Sequence, residues 1–129
     1  MPNETARNGT NASSAPRFNL PELLARVDND RELLCDLLAI FKEEFPRYVK
    51  SLEEAVVRMN VADIVIVAHT LKGMLSNLAV ARASASAARL EQLARAGHTV
   101  SLRDAFADFE RDVHGLVPEM ESCLAEARP

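Results

Sequence analysis

The sequence predicts an all-α fold, an antiparallel up-down four-helix bundle with a short additional N-terminal helix, and three observations carry that prediction. Aromatic residues make up 5% of the chain against 48% hydrophobic in total, with Trp absent and Tyr48 the single tyrosine, so the core must be aliphatic. Gly 4 and Pro 6 in 129 residues are under the usual share, and few breaks mean long elements. Apolar residues recur at alternating three- and four-residue steps, the period of one helical face. A β-sandwich or barrel, which needs frequent turns and β-branched strands, is largely excluded.

Residues 1–17 contain no Leu, Ile, Val or Phe, so they cannot bury enough area to offset the entropy of ordering. They read as a disordered arm or linker, or as a tail cut from a longer protein. Their three Asn-x-Ser/Thr matches, at Asn3, Asn8 and Asn11, carry no consequence without a secretory signal. Residues 18–127 form the single domain. Asn19 with Glu22 three residues on, and Pro21 in the first turn, open a short helix ending near Val27. Asn29 with Glu32 opens a long one, whose Leu34, Leu37, Phe41, Phe45, Tyr48, Leu52, Val56 and Met59 form an apolar stripe. Pro46 should kink this helix rather than end it, because the stripe runs through. Asn60 with Asp63 caps a third helix, Val61 to Val80. Within it Ile64-Val65-Ile66-Val67 has strand propensity, but the cap and the absence of turns decide for helix. A fourth helix, around Ala83 to Ala96, carries Ala87, Leu90 and Leu93 and stops at Gly97. Ser101 with Asp104 caps the last, in which Leu102, Phe106, Phe109, Val113, Leu116, Met120 and Leu124 keep the helical step and Gly115 and Pro118 should bend it.

The net charge of −4, with no run of Lys or Arg, argues against nucleic acid as a partner. The start lacks the apolar stretch of a signal peptide and no later stretch would span a bilayer, so a cytoplasmic location without membrane insertion is expected. Cys35 and Cys123 are then most simply two reduced thiols.

The third helix has an odd face. At about 100° per residue, Ile64, Val67, Leu71, Met74, Leu75 and Leu78 share the buried side, while His69, Lys72, Gly73 and Ser76 fall together opposite them. Ala62, Val65, Ile66 and Val80 lie alongside. An ordinary solvent face carries Glu, Lys and Gln; this one is small and apolar around one imidazole and one ammonium, the pattern of a docking site. Neutral imidazole is a nucleophile able to attack a phosphoryl group. Lys72, one turn away, can attract the phosphoryl oxygens. Gly73 in mid-helix costs roughly 1 kcal/mol relative to Ala, and the missing side chain would let another protein approach the ring. A lone His on a helix is usually an ordinary surface or core residue, and Gly73 could serve helix packing. Side-chain chemistry alone leaves a docking surface and bundle-to-bundle packing both open.

The stretch Ala68-His69-Thr70-Leu71-Lys72-Gly73, followed by Asn77-Leu78-Ala79-Val80 and Arg89-Leu90-Glu91, resembles the signature of histidine-containing phosphotransfer (HPt) domains of bacterial and fungal phosphorelays. The preceding Phe41 to Pro46 run and the link at Asn60 extend the likeness over roughly Phe18 to Leu124. The resemblance implies a four-helix bundle with His69 as the phosphorylated residue and Lys72 and Gly73 in the family's adjacent positions. Two positions depart from it. The family often has Gly where this chain has Ala79, which keeps the position small, and a small residue where it has Met74, which the wheel puts toward the core edge. Glu91 matches a recurrent family position and reads as structural or as rim charge.

No Gly-rich phosphate cradle is present, and the one carboxylate of the reactive helix, Asp63, lies well off the His69 face. The domain is therefore expected to be a phosphoryl carrier and not an enzyme alone, with no metal or cofactor of its own. The resemblance implies response-regulator receiver domains and a sensor or hybrid histidine kinase as partners, with Mg²⁺ on the receiver, and a monomeric state is expected. His98 and His114 read as surface residues. The competing possibility is a non-catalytic helical adaptor or dimerisation module using the apolar face around His69. A metal-binding bundle is disfavoured because its Glu-x-x-His pairs are missing.

Overall fold

A computed structural model describes residues 17–129; the expected arm, Arg17 apart, lies outside the described residues. Those residues fold into α1 (Leu20–Arg26), α2 (Arg31–Val57), α3 (Val61–Asn77), α4 (Ala81–Arg95), a 3₁₀ turn (Thr99–Ser101), α5 (Leu102–Val113) and α6 (Leu116–Ala127), with no strand among them. The fold is all-helical, and Ile64–Val67 is helix despite its β-branched run.

Two of the expected caps open helices as read. Asn19 accepts from the Glu22 N–H and Asn60 from the Asp63 N–H, each satisfying a donor that a helix start leaves free. The start of α2 differs by one residue. Asp30 is the cap and accepts from the Leu33 N–H, while Asn29 turns the chain at φ 62°. Ser101 makes no cap bond, because it sits in a helical conformation at the end of the 3₁₀ turn instead of the extended one a cap requires. The single bent helix expected after Ser101 is two helices. Gly115, at φ 73°, breaks the helix between α5 and α6, and Pro118 falls in the first turn of α6, where its missing N–H costs little. Pro46 lies inside α2, which runs through it.

α3 packs against α2 and, most extensively, α4; α4 also packs against α5, and α2 against α6. Leu38, Leu52, Ile64, Leu71, Leu75, Leu90, Leu102 and Phe109 are fully buried between them, an aliphatic core with Phe41 and Phe45 stacked at 4.9 Å. Of the expected α2 stripe, Leu37 turns outward at 42% exposed while Leu38 takes up core space, and Tyr48 and Met59 are half-buried and pack against the core. In α3 Val67 and Met74 are likewise only half-buried, and Ala68 is fully buried in the centre of the helix.

α3 ends at Asn77, three residues before its expected end, because Ala79 adopts φ 60°. That conformation, not small size, is what a glycine would serve there. Arg26 of α1 donates to the Ser76 and Asn77 carbonyls at 3.2 and 3.3 Å, tying α1 to this helix end.

Candidate functional site

The site lies where α3 meets α4. Buried Ile64, Ala68, Leu71 and Leu75 set the rotation of α3, and they turn His69 outward with its side chain 61% exposed. Ala68 and Ala83, both fully buried, present no bulk between the helices. Ser84 of α4 fastens the two: its hydroxyl donates to the Lys72 carbonyl at 3.1 Å and pairs with the Ser76 hydroxyl at 2.6 Å.

Across this seam stands Glu91, its side chain only 8% exposed. His69 Nδ1 lies 3.0 Å from Glu91 Oε2, and Lys72 Nζ lies 3.1 Å from Oε1. Arg95, one turn along α4, brings Nε to 3.1 Å and Nη2 to 2.9 Å from Oε2. Burial by itself pushes the Glu91 carboxyl up, but hydrogen bonds from Lys72, Arg95 and His69 outweigh it and hold the group at about 2. Glu91 is therefore ionised at neutral pH and can only accept. Nδ1 of a neutral His69 must carry the proton, and the lone pair is left on Nε2. Glu91 is neither a rim charge nor packing alone: it decides which ring nitrogen is free. The contact joins residues 22 apart in sequence. Only the tertiary packing of α4 on α3 brings this carboxylate level with His69.

Gly73 is half-buried, and a Cβ built on it would meet nothing within 4 Å. Among the described residues no neighbour requires the glycine, so helix packing within them does not explain it. Of the surface expected around His69, Ala62, Ile66 and Ser76 are exposed and Val65 is half-buried. Val80 is not at the surface. It is 2% exposed, because α3 has already ended and Val80 precedes the first turn of α4, its carbonyl accepting from the Ser84 N–H. Beside Lys72 a shallow concavity is floored by Ala79, Ala81, Ala85 and Ala88 and walled by Glu22 and Arg26.

Among the described residues no three His, Cys, Asp or Glu side chains gather where they could hold a metal ion, and no helix is long and apolar enough to cross a membrane. An exposed imidazole with one nitrogen secured and the other without a partner among the described residues, on an all-helical frame, is the equipment of a group carrier. The profile of the Hpt domain family matches residues 36–128, well over half of the chain, and the chain belongs to that family. Hpt domains are phosphocarriers of two-component systems, exchanging phosphoryl groups with receiver domains and histidine kinases, and are not enzymes in the ordinary sense. No curated protein and no solved structure matches the chain.

Proposed function

We propose that this domain is a phosphorelay intermediate that accepts a phosphoryl group on His69 from a receiver-domain aspartate or a kinase and passes it to another receiver. The observation that carries the reading is the exposed His69 ring held through Nδ1 by an ionised, buried Glu91. Nε2 attacks the phosphorus of an aspartyl phosphate, the N–P bond forms, and the P–O bond to the aspartate breaks, leaving a free carboxylate. The imidazole keeps its Nδ1 proton, so the positive charge that develops on the ring faces Glu91. Lys72, already at this carboxylate, supplies an ammonium on the same helix face for the phosphoryl oxygens. Gly73 leaves space for the donor protein beside the ring.

The domain works in this reading as a monomeric, cytoplasmic protein shaped as an antiparallel up-down four-helix bundle, α5 and α6 together making the fourth helix and α1 the extra one. The partner receiver brings Mg²⁺ and the acidic residues that hold it. Ala62, Val65, Ile66 and Ser76 belong to the docking surface.

Incubation with a phosphorylated receiver should yield an acid-labile, base-stable adduct on the domain. His69→Gln should abolish it. Persistence of the adduct in that variant would overturn the assignment.

A further inference from the structure

Glu91 Oε2 serves two donors at once. His69 Nδ1 approaches it at 3.0 Å, while Arg95 directs both Nε and Nη2 at the same atom, at 3.1 and 2.9 Å. The other oxygen, Oε1, holds Lys72 at 3.1 Å. The charged groups gathered at this ring are thus Lys72 from its own helix and Glu91 and Arg95 from α4. A carboxylate oxygen already drawn on by a guanidinium polarises a further donor less than one free of it, because charge-assisted bonds to one atom compete for the same electron density.

We propose that Arg95 is a positioning residue for phosphoryl transfer: by donating twice to the oxygen that His69 also uses, it limits how much of the Glu91 negative charge reaches the imidazole and so restrains the nucleophilicity of Nε2. The proposal rests on His69 being the phosphoryl acceptor. Arg95 touches neither the reacting nitrogen nor the phosphoryl group; it acts through Glu91. Two cations on one carboxylate keep Glu91 ionised in its buried position, and placing one of them on Oε2 sets the strength of the bond to Nδ1.

Arg95→Gln and Arg95→Lys in the full chain test this. The first readout is the proton resonance of His69 Nδ1–H by NMR, which requires no phosphoryl donor. Arg95→Gln should move it downfield, as the His69–Glu91 bond shortens onto a less shared oxygen, and Arg95→Lys, which keeps the charge but offers a single donor, should fall between. The second readout is the reaction of His69 with phosphoramidate, in which Nε2 forms the N–P bond as the donor's P–N bond breaks and ammonia departs. Its rate should rise about threefold in Arg95→Gln, following the greater basicity of the ring. An unmoved or upfield-shifted resonance, in either variant, would overturn the proposal, since a residue that only held Glu91 in place would weaken the His69 contact when removed. A downfield shift with no labelling of His69 even in the unmodified chain would support the Arg95 assignment and overturn the phosphocarrier reading on which it builds.

Discussion

At Glu91 one carboxylate answers three donors, and its removal should be felt in both stability and chemistry. Its folded pKa is depressed, from an ordinary 4.5 to about 2, so the folded state binds this proton less readily than the unfolded chain. The resulting stability is fully present above about pH 4.5 and is lost as pH falls toward 2; a shift of this size corresponds to about 3 kcal/mol at most, less where solvent screens Arg95 and Lys72. Glu91→Gln should lower the unfolding free energy at neutral pH by about 1–3 kcal/mol. It should also flatten the decline between about pH 5 and pH 2.5 seen in the parent protein. Denaturant titrations across that range check both, and an unchanged slope would deny Glu91 its role. Lys72→Ala should slow transfer from a phosphorylated receiver about tenfold, or shorten the adduct's lifetime, while circular dichroism stays unaltered; an unchanged rate and lifetime would remove Lys72 from the mechanism. The positions proposed for the chemistry, 69, 72 and 73, share one face because they repeat at helical spacing within one element, a pattern the sequence displays directly. Glu91 and Arg95 were not read as part of the site because their relation to His69 depends on how α4 lies against α3, and no local pattern encodes that.

Helix α3 and the turn that ends it carry two substitutable positions whose best residues, for folding alone, are each other's. Gly73 occupies mid-helix with open space beyond its Cα, where Ala would reduce the entropy lost on folding. Ala79 holds φ 60° just past the helix end, where Gly would carry no steric penalty. Gly73→Ala should therefore raise stability by up to about 1 kcal/mol and slow transfer from a receiver protein, while phosphoramidate, which needs no docking partner, should label His69 at the parent rate. Ala79→Gly should raise stability by about 0.5–1 kcal/mol with no such loss. Urea midpoints together with the two transfer rates decide the matter; a drop in stability in Gly73→Ala would return that glycine to a packing role. At this scale the sequence was most readable where a side chain caps its own helix, as at Asn19 and Asn60. It misled where backbone geometry took over: at Asn29, which turns the chain and leaves capping to Asp30; at Ser101, already helical; and at Val80, which the α3 wheel assigned to the surface although α3 had stopped at Asn77.

Across the whole molecule, composition was enough for an aliphatic, all-helical core, since a chain poor in Gly, Pro and aromatics has few other ways to bury its Leu and Ala. The start of the described chain meets the α5–α6 junction in a way composition could not foretell. Arg17, directly before buried Phe18, donates through Nη1 to the Asp112 carbonyl at 2.8 Å and through Nη2 to the His114 carbonyl at 2.6 Å. Its Nε reaches Glu119 Oε2 at 2.9 Å, and its backbone N–H reaches Oε1 at the same distance. One side chain thus satisfies two carbonyls released by the end of α5 and ties them to the first turn of α6, across the break at Gly115. Burial alone would push the Glu119 carboxyl up, but the bonds and charge of Arg17 hold it below the ordinary value. The stability this pair provides is accordingly present above the ordinary carboxylate range and is lost as pH falls through it. Arg17→Ala should lower the unfolding free energy at neutral pH by about 1–2 kcal/mol, the range for charge-assisted bonds in a partly exposed setting. Glu119→Gln should cost somewhat less, because the two carbonyls keep their donor. The double variant should cost less than the sum of the singles, since each removes the same interaction. Strictly additive losses, or a parent-like stability in Arg17→Ala, would mean that α5 and α6 hold their junction without the clasp.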